Sequence, residues 1–360
     1  MMKEPSPPSI SALVVNHNGG QEILKCLEAL TQQTISLEEI VLVDNASSDK
    51  SPDKIRASFP QVKIIQLEEN LGLSKARNIG LGEISSDFVI IIDDDIYLDS
   101  NCLHYLLQAQ SEHFAAIVCP RILLYPEKKI VQCDGAAPHF IGTMILRHAF
   151  SPVVGLDNEA AEVQACIGAC MFVDRRLLQL SGGFDENIYF YFEDLEFTLR
   201  MRSLGHKIVC EPKALVYHDR GSGTPELSFR GRGTYPTRRV FFNIRHRLMM
   251  ILIHYKIRTL LVLSPVFLIY EIATLGLVIS RGWFQIWYQA LKSIYLERKK
   301  IMARRNFVQK NRKRRDRDLL SGGELPFAQG FLKGKMETAA VGILSWILNS
   351  YWKLVNHWIG

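Results

Sequence analysis

The chain has 360 residues, 48% of them hydrophobic and 22% charged, with 43 Lys and Arg against 37 Asp and Glu. These proportions exclude a disordered chain and supply enough apolar material for one large domain with an appendage. Seven scattered cysteines, odd in number and without a CxxC pair, indicate neither a disulfide framework nor a zinc site and read as buried thiols.

The opening residues set Glu4 and prolines where an export signal needs a basic stretch and then an apolar one. With the reduced-looking thiols, this places the bulk of the chain in the cytosol as an expectation. Ser11–Val15 reads as a short strand ending in the turn cluster Asn16-His17-Asn18-Gly19-Gly20, and Glu22–Thr31 has helical spacing at Ile23, Leu27 and Leu30. Ile40–Val43 is a second strand running into Asp44-Asn45, and Ser51–Phe59 a helix opened by Ser-Pro. Val62–Leu67, the helix Leu73–Gly82 and the apolar run Phe88–Ile92 follow. Strand and helix alternating over short connections predict a mostly parallel α/β sheet with right-handed crossovers. Polar residues then fall at the strand ends, Asn16, Asp44, Asn70 and Asp93, along one edge. That is where open α/β sheets bind ligands.

The triplet Asp93-Asp94-Asp95 closes the fourth strand. Taken alone it reads equally as a solvated acidic loop or as oxygen ligands for a hard divalent cation, Mg²⁺ or Mn²⁺. Beyond Cys119 the chain is less periodic and richer in aromatics. Glu193 and Asp194 open a helix over Leu195–Leu204, where carboxylates suit the helix dipole, with Gly205 as its stop. Ile208–Val216 is a further strand, with His218 just past it. Residues 221–239 form a Gly-, Pro- and Arg-rich loop long enough for a mobile lid.

Thr259–Ser280 has about the length of a membrane span but contains Pro265 and Glu271, and basic residues flank both ends. A transmembrane helix, a buried core helix and an in-plane or re-entrant segment all fit its length. The symmetric charge favours an interfacial or re-entrant segment on the cytoplasmic leaflet. A basic run over 298–317 and an amphipathic stretch, Ala339–Trp358, with Trp346, Trp352 and Trp358 point to a membrane surface. Nucleic acid is the rival partner for such a run, and no recognition motif supports it. The expected division is a catalytic domain over 1–240 and a helical, basic, membrane-associated region over 241–360.

In order, the motifs Val14-Val15-Asn16-His17-Asn18, Val43-Asp44-Asn45-Ala46-Ser47-Ser48-Asp49 and Asn70-Leu71-Gly72 through Gly80 precede the aspartate triplet. Gly182-Gly183-Phe184-Asp185-Glu186 and Phe192-Glu193-Asp194 complete the string. Together they resemble the family 2 glycosyltransferases of GT-A fold, especially rhamnosyl- and galactofuranosyltransferase-like members, over roughly residues 10–220. The resemblance implies inverting transfer from a nucleotide-diphospho-sugar to a glycan or lipid-linked glycan acceptor in cell-surface polysaccharide synthesis. It implies a metal on Asp93, Asp95 and His218 that neutralises the departing diphosphate. It implies nucleotide contacts from Asn16, Asp44, Asn45, Gly72 and Arg77, with Asp94 facing ribose or solvent. Asp194 becomes the base that takes the acceptor proton, and Glu193 its support. Two positions depart from the pattern: Leu195-Glu196, where many relatives carry a further aspartate, and His246 between Arg245 and Arg247 in place of asparagine. A sugar nucleotidyltransferase would need a basic residue in the loop after the first strand, which Asn16–Gly20 lacks. A catalytically silent membrane-bound scaffold of the same fold is the remaining alternative, and Asp93, Asp95 and Asp194 argue against it.

Overall fold

A computed structural model describes residues 7–220, 229 and 233–360. Most of the loop expected as a lid, 221–228 and 230–232, lies outside the described residues. The chain divides into two units, one of Met1–Gly135, Leu146–Phe197 and His206–Arg220, the other of Ala136–Ile145, Thr198–Gly205 and Gly221–Gly360.

The first unit opens with β1 (Ile10–Asn16), α1 (Glu22–Thr31), β2 (Glu39–Asp44), α2 (Ser51–Ser58), β3 (Lys63–Gln66), α3 (Leu73–Gly82) and β4 (Phe88–Asp93). It continues with β5 (Ile96–Leu98), α4 (Cys102–His113), β6 (Ile117–Leu124) and β7 (Val131–Cys133). A hairpin of β8 (Ala136–His139) and β9 (Thr143–Leu146), almost all of it in the second unit, is followed by β10 (Ala161–Val163), β11 (Cys170–Asp174), α5 (Arg175–Leu180), α6 (Glu193–Ser203), whose last six residues also belong to the second unit, and β12 (Ile208–His218). The helices α7 (Thr237–His254), α8 (Ile257–Ser280), α9 (Phe284–Leu296), α10 (Arg298–Asn311) and α11 (Gly334–Val355) belong to the second unit.

Among the described residues one sheet runs β10-β12-β6-β11-β4-β1-β2-β3, with β5 on β12 and β7 on β6. Every residue of β1 is buried, as suits a central strand covered on both faces. Its α1 cover buries Ile23, Cys26, Leu27 and Leu30, a single helical face. The parallel pairs align Asn16 with Asp44 and Val15 with Asp93, so three polar strand ends share one edge. Asn70 lies beyond the end of β3 rather than on it. The parallel run is interrupted at β11, which pairs antiparallel with both β4 and β6. Because β11 runs the other way, its start meets the end of β4, and Asp93 N donates to Ala169 O at 3.0 Å. All seven cysteines are free and buried.

Gly80 sits inside α3, where an added Cβ would fall 2.3 Å from Leu13 Cδ1 and 2.9 Å from Val43 Cγ2. Its role is close approach of helix to sheet, not a helix stop. Gly80→Ala should therefore destabilise the fold by about 1–3 kcal/mol through overpacking, measured as a lowered denaturant midpoint; an unchanged midpoint contradicts this.

In the second unit the carbonyls at the end of α7 are closed by side chains from the basic run. Gln309 Nε2 donates to Ile253 O and His254 O, Arg305 Nη1 to Tyr255 O at 2.8 Å, and Arg312 Nη1 to His254 O at 2.6 Å. Arg312 also pairs with buried Asp316, whose other oxygen accepts Lys256 N at the start of α8. Two of the cations in that run thus hold helix ends, where orphan carbonyls need donors. Pro265 leaves Leu261 O without its helical donor, and Ser264 Oγ supplies one at 2.8 Å.

Candidate active site

The polar strand ends form one locked network in the first unit. Asn16 Nδ2 lies 2.8 Å from Asp44 Oδ1 and 3.0 Å from both Ser47 Oγ and Ser51 Oγ, while Asn16 Oδ1 accepts Gly19 N. Ser47 Oγ donates to Asp44 Oδ1 at 2.6 Å. Asn45 donates to Asn70 Oδ1 and accepts Leu71 N, and Asn70 Oδ1 also receives Gly72 N and Tyr189 Oη. Asn16, Asp44 and Asn45 are buried, so these side chains fix the pocket wall with their own bonds satisfied. Gly72 has φ +82°, and a Cβ there would meet Tyr189 at 2.6 Å; the close approach it permits is to this ring.

The three aspartates point to three different partners. Asp93 Oδ1 receives Arg77 Nη2 at 2.8 Å. Asp94 Oδ2 receives His17 N at 3.2 Å and lies 3.0 Å from where a Cβ on Gly19 would stand. Asp95 Oδ2 faces His218 Nε2 at 3.1 Å. His218 is the last residue of β12, opposite Ile96 of β5, and this antiparallel pairing brings it beside Asp95. Asp219 N donates to Asp95 O, and Asp219 Oδ2 accepts Tyr97 Oη, so the turn carrying both ligand candidates is fixed. Among the described residues no three His, Cys, Asp or Glu side chains are preassembled around one metal point.

Arg77 is wholly buried. Its Nη2 also donates to Gly168 O at 2.8 Å, Nη1 stands 3.6 Å from Glu193 Oε1, and its guanidinium lies over the Phe184 ring at 5.3 Å. It therefore joins the aspartate corner to the Glu193-Asp194 corner instead of reaching outward to a base or phosphate. Asp194 is held by backbone amides, with Oδ2 accepting Gly168 N at 3.0 Å and Oδ1 accepting Leu195 N at 2.7 Å. Just ahead of this pair, Tyr191 and Phe192 adopt φ of +64° and +71°, a left-handed conformation that disfavours side chains with a Cβ.

A family profile described as Glycosyl transferase family 2 matches residues 11–179, which include the aspartate triplet and the edge network apart from Tyr189. The chain carries a glycosyl transferase family 2 domain. Among curated relatives, the N-acetylglucosaminyl-diphospho-decaprenol L-rhamnosyltransferase of Mycobacterium tuberculosis is 24% identical over 264 residues, 66% of this chain and 85% of that protein. The amylovoran biosynthesis glycosyltransferase AmsE of Erwinia amylovora is 28% identical over 219 residues, 59% of this chain and 76% of that protein. Among solved structures, GalNAc-T7 with UDP, GalNAc and Mn²⁺ superposes with TM-score 0.55 at 18% identity, covering 71% of this chain. This chain spans about half of that one, 49%, and the likeness is one of fold. The mixed sheet flanked by helices is the GT-A glycosyltransferase fold.

The electrostatics of this glycosyltransferase are one-sided. Five carboxyl groups, Asp93, Asp94, Asp95, Glu193 and Asp194, share this edge, and the one guanidinium among the contacts described above is that of Arg77. Burial raises Asp93 against the pull of Arg77. Burial together with Asp95 and Asp93 drives Asp94 well above the ordinary carboxylate range. Burial beside Asp194 pushes Glu193 up to about 8, and burial raises Asp194 despite its two amide donors. A divalent cation is one group that could offset this excess of negative charge. Asp95 and His218 offer an oxygen and a nitrogen, and such cations commonly complete their shell with substrate phosphate and water.

The sign of the pH dependence follows. A carboxyl raised in the folded state binds more protons folded than unfolded, so stability falls as pH rises through the window between its two values. For Glu193 that window runs from its ordinary 4.5 to about 8. In metal-free buffer the melting temperature should drop across it, and Glu193→Gln should flatten the drop. A variant with the same slope as the parent contradicts this.

Sequence reasoning did not find Gly168, whose N–H and C=O hold Asp194 and Arg77. Backbone contacts leave no residue-type signal, although the Gly-Ala ahead of an apolar strand is consistent with close packing. Tyr97 and Asp219, which brace the Asp95 turn, were likewise unmarked; an acid directly after His218 was the available signal.

Proposed function

We propose that this chain moves a sugar from a nucleotide-diphospho-sugar to a hydroxyl of a lipid-linked glycan, with inversion at the anomeric carbon. The observation that carries the proposal is the reach of one guanidinium, Arg77, which touches both Asp93 and Glu193. Donor activation and proton removal therefore lie within one small edge of the sheet. The fold, the family 2 domain and a relative named for transfer onto a diphospho-decaprenol acceptor support the reading.

Asp95 and His218 would hold a divalent cation, with Asp93 beside them. When bound, the metal supplies Lewis-acid neutralisation of the leaving diphosphate. Asp44, Asn16 and Asn45 shape the nucleoside pocket through their fixed network. Asp194 removes the acceptor proton as the hydroxyl attacks from the face opposite the leaving group. Its two amide donors orient the carboxylate, and its burial raises its proton affinity toward what a base needs. Glu193 and Arg77 hold that geometry.

The test is a donor panel. Purified protein is titrated with UDP-, GDP- and dTDP-sugars with Mg²⁺ or Mn²⁺, reading binding and slow donor hydrolysis. One donor class should bind in a metal-dependent way, and Asp95→Ala should weaken that binding by about tenfold or more. If no nucleotide sugar binds, or Asp95→Ala changes nothing, the reading fails.

A further inference from the structure

The helices α8, α9 and α11 of the second unit each carry an apolar stripe that their own unit leaves uncovered. On α8 the buried residues are Thr259, Leu263, Val266 and Val278, while Ile257, Leu261, Leu268, Ile272 and Ile279 are all at least 60% exposed. At 100° per residue the exposed five fall within one narrow sector, and the buried ones lie across the axis. α9 buries Ala290 and exposes Phe284, Tyr288, Tyr295 and Leu296. α11 buries Ser345, Leu348, Trp352 and Val355 and exposes Met336, Ile343, Trp346 and Leu354, with Trp358 exposed just beyond it. Trp352 stacks on Phe140 at 4.7 Å, so the tryptophans of this segment divide between the two faces. α8 lies against both α9 and α11. A Tyr351–Val262 hydrogen bond of 2.8 Å ties α11 to α8. Large apolar side chains left uncovered together in this way mark an interaction site.

Charge selects the occupant. Directly after the α9 stripe come Arg298, Lys299 and Lys300, all exposed, and Lys310, Lys313 and Arg315 follow. Aromatic rings at the edge of aliphatic surface, flanked by exposed cations of which Arg315 also pairs with Asp318, match an anionic lipid headgroup layer. The way α8 is used argues for a helix lying in the plane rather than one crossing it. One of its sides rests on the unit through residues spread from Thr259 to Val278, most of the helix length. Near its middle, Glu271 pairs with Arg247 of α7, whose guanidinium lies 4.7 Å from the Tyr270 ring centre. With one side resting on its own unit and its mid-length carboxylate tied to a guanidinium, α8 has only its outward stripe to offer to lipid.

We propose that α8, α9 and α11 lie in the plane of an anionic bilayer, inserting their outward stripes, with no segment crossing it. The inference is independent of the sugar-transfer reading and is tested without any donor. The full chain is sedimented with phosphatidylcholine vesicles with and without phosphatidylglycerol. Binding should need the anionic lipid and weaken as salt rises. Tryptophan emission should shift to the blue on binding, and Trp346→Phe should reduce that shift. The double change Ile343→Glu and Trp346→Glu should weaken partitioning by about tenfold or more. A separate pair, Lys299→Glu and Lys300→Glu, should lose the preference for phosphatidylglycerol. Each variant is first checked for parental circular dichroism, and the lysine pair, being exposed, keeps the test alive if the first fails to fold. Protease added outside sealed vesicles should reach tags at both termini. Equal partitioning of parent and variants overturns the proposal. So does a stripe-dependent dimer that ignores vesicles, or a terminus protected inside the vesicle.

Discussion

Replacing Arg77 by Met is expected to lower folding stability by about 3–5 kcal/mol and to abolish transfer, although Arg77 lies beneath the ligand edge and has no exposure. The side chain fills a slot between Asp93, Gly168 O and Glu193, over the Phe184 ring. Removing it leaves buried Glu193 and half-buried Asp93 without a cation and the Gly168 carbonyl without a donor. A Met keeps the packing of the aliphatic stem, so most of the loss reports the missing guanidinium contacts. Arg77→Lys should rescue only partly, because a single ammonium cannot make the forked contact to both corners. Denaturant midpoints for the three proteins give the stability order, and a midpoint for Arg77→Met equal to the parent's contradicts the argument. The same comparison separates this role from direct nucleotide contact, in which donor affinity would fall while the midpoint stayed put.

The second large effect is expected at Asp194. Asp194→Asn should reduce kcat by about 10²–10⁴ while leaving the donor KM near the parent value. Both oxygens of Asp194 accept backbone N–H groups, from Gly168 and from Leu195. An asparagine offers one oxygen and turns its NH₂ toward the other amide, so a stability loss of about 1 kcal/mol should accompany the loss of rate. Glu193→Gln keeps the proton that burial already favours and should cost much less in kcat. If Glu193→Gln is the more damaging of the two, the roles of base and support are reversed.

How much of this was legible in the sequence differs from residue to residue. Asn16, Asp44 and Asp93 were placed on one edge by strand–helix alternation alone, because parallel neighbours joined by right-handed crossovers end on the same side. The helix α4 went unmarked although Cys102, Leu103, Leu106 and Ala109 carry its buried periodicity. The antiparallel entry of β11 was not readable, since strand direction in the aromatic-rich stretch depends on which strand it joins. Arg77 illustrates the limit most sharply. Its motif marked it as important, but nothing local says whether a guanidinium on α3 points out to a phosphate or inward to Asp93 and Glu193. That choice depends on β11, because Gly168, two residues before it, supplies the carbonyl and amide of the slot.

The basic run divides in the same way. Composition marked 298–317 as a charged surface, and Lys299 and Lys300 fit that reading. Arg305 and Arg312 do not, because the end of α7 stands within reach and its carbonyls need donors. The sequence by itself determined the family 2 domain, the order of strands and helices in the first hundred residues, and the presence of acidic groups at the sheet edge. Those features follow from local periodicity and from residue types that only certain chemistry uses. Tertiary structure alone decided which carboxyl meets which partner: Asp93 with Arg77, Asp94 with the His17 amide, Asp95 with His218, and Asp194 with two backbone amides. Three adjacent aspartates have the same side chain, and only the different neighbours packed against each give them different work.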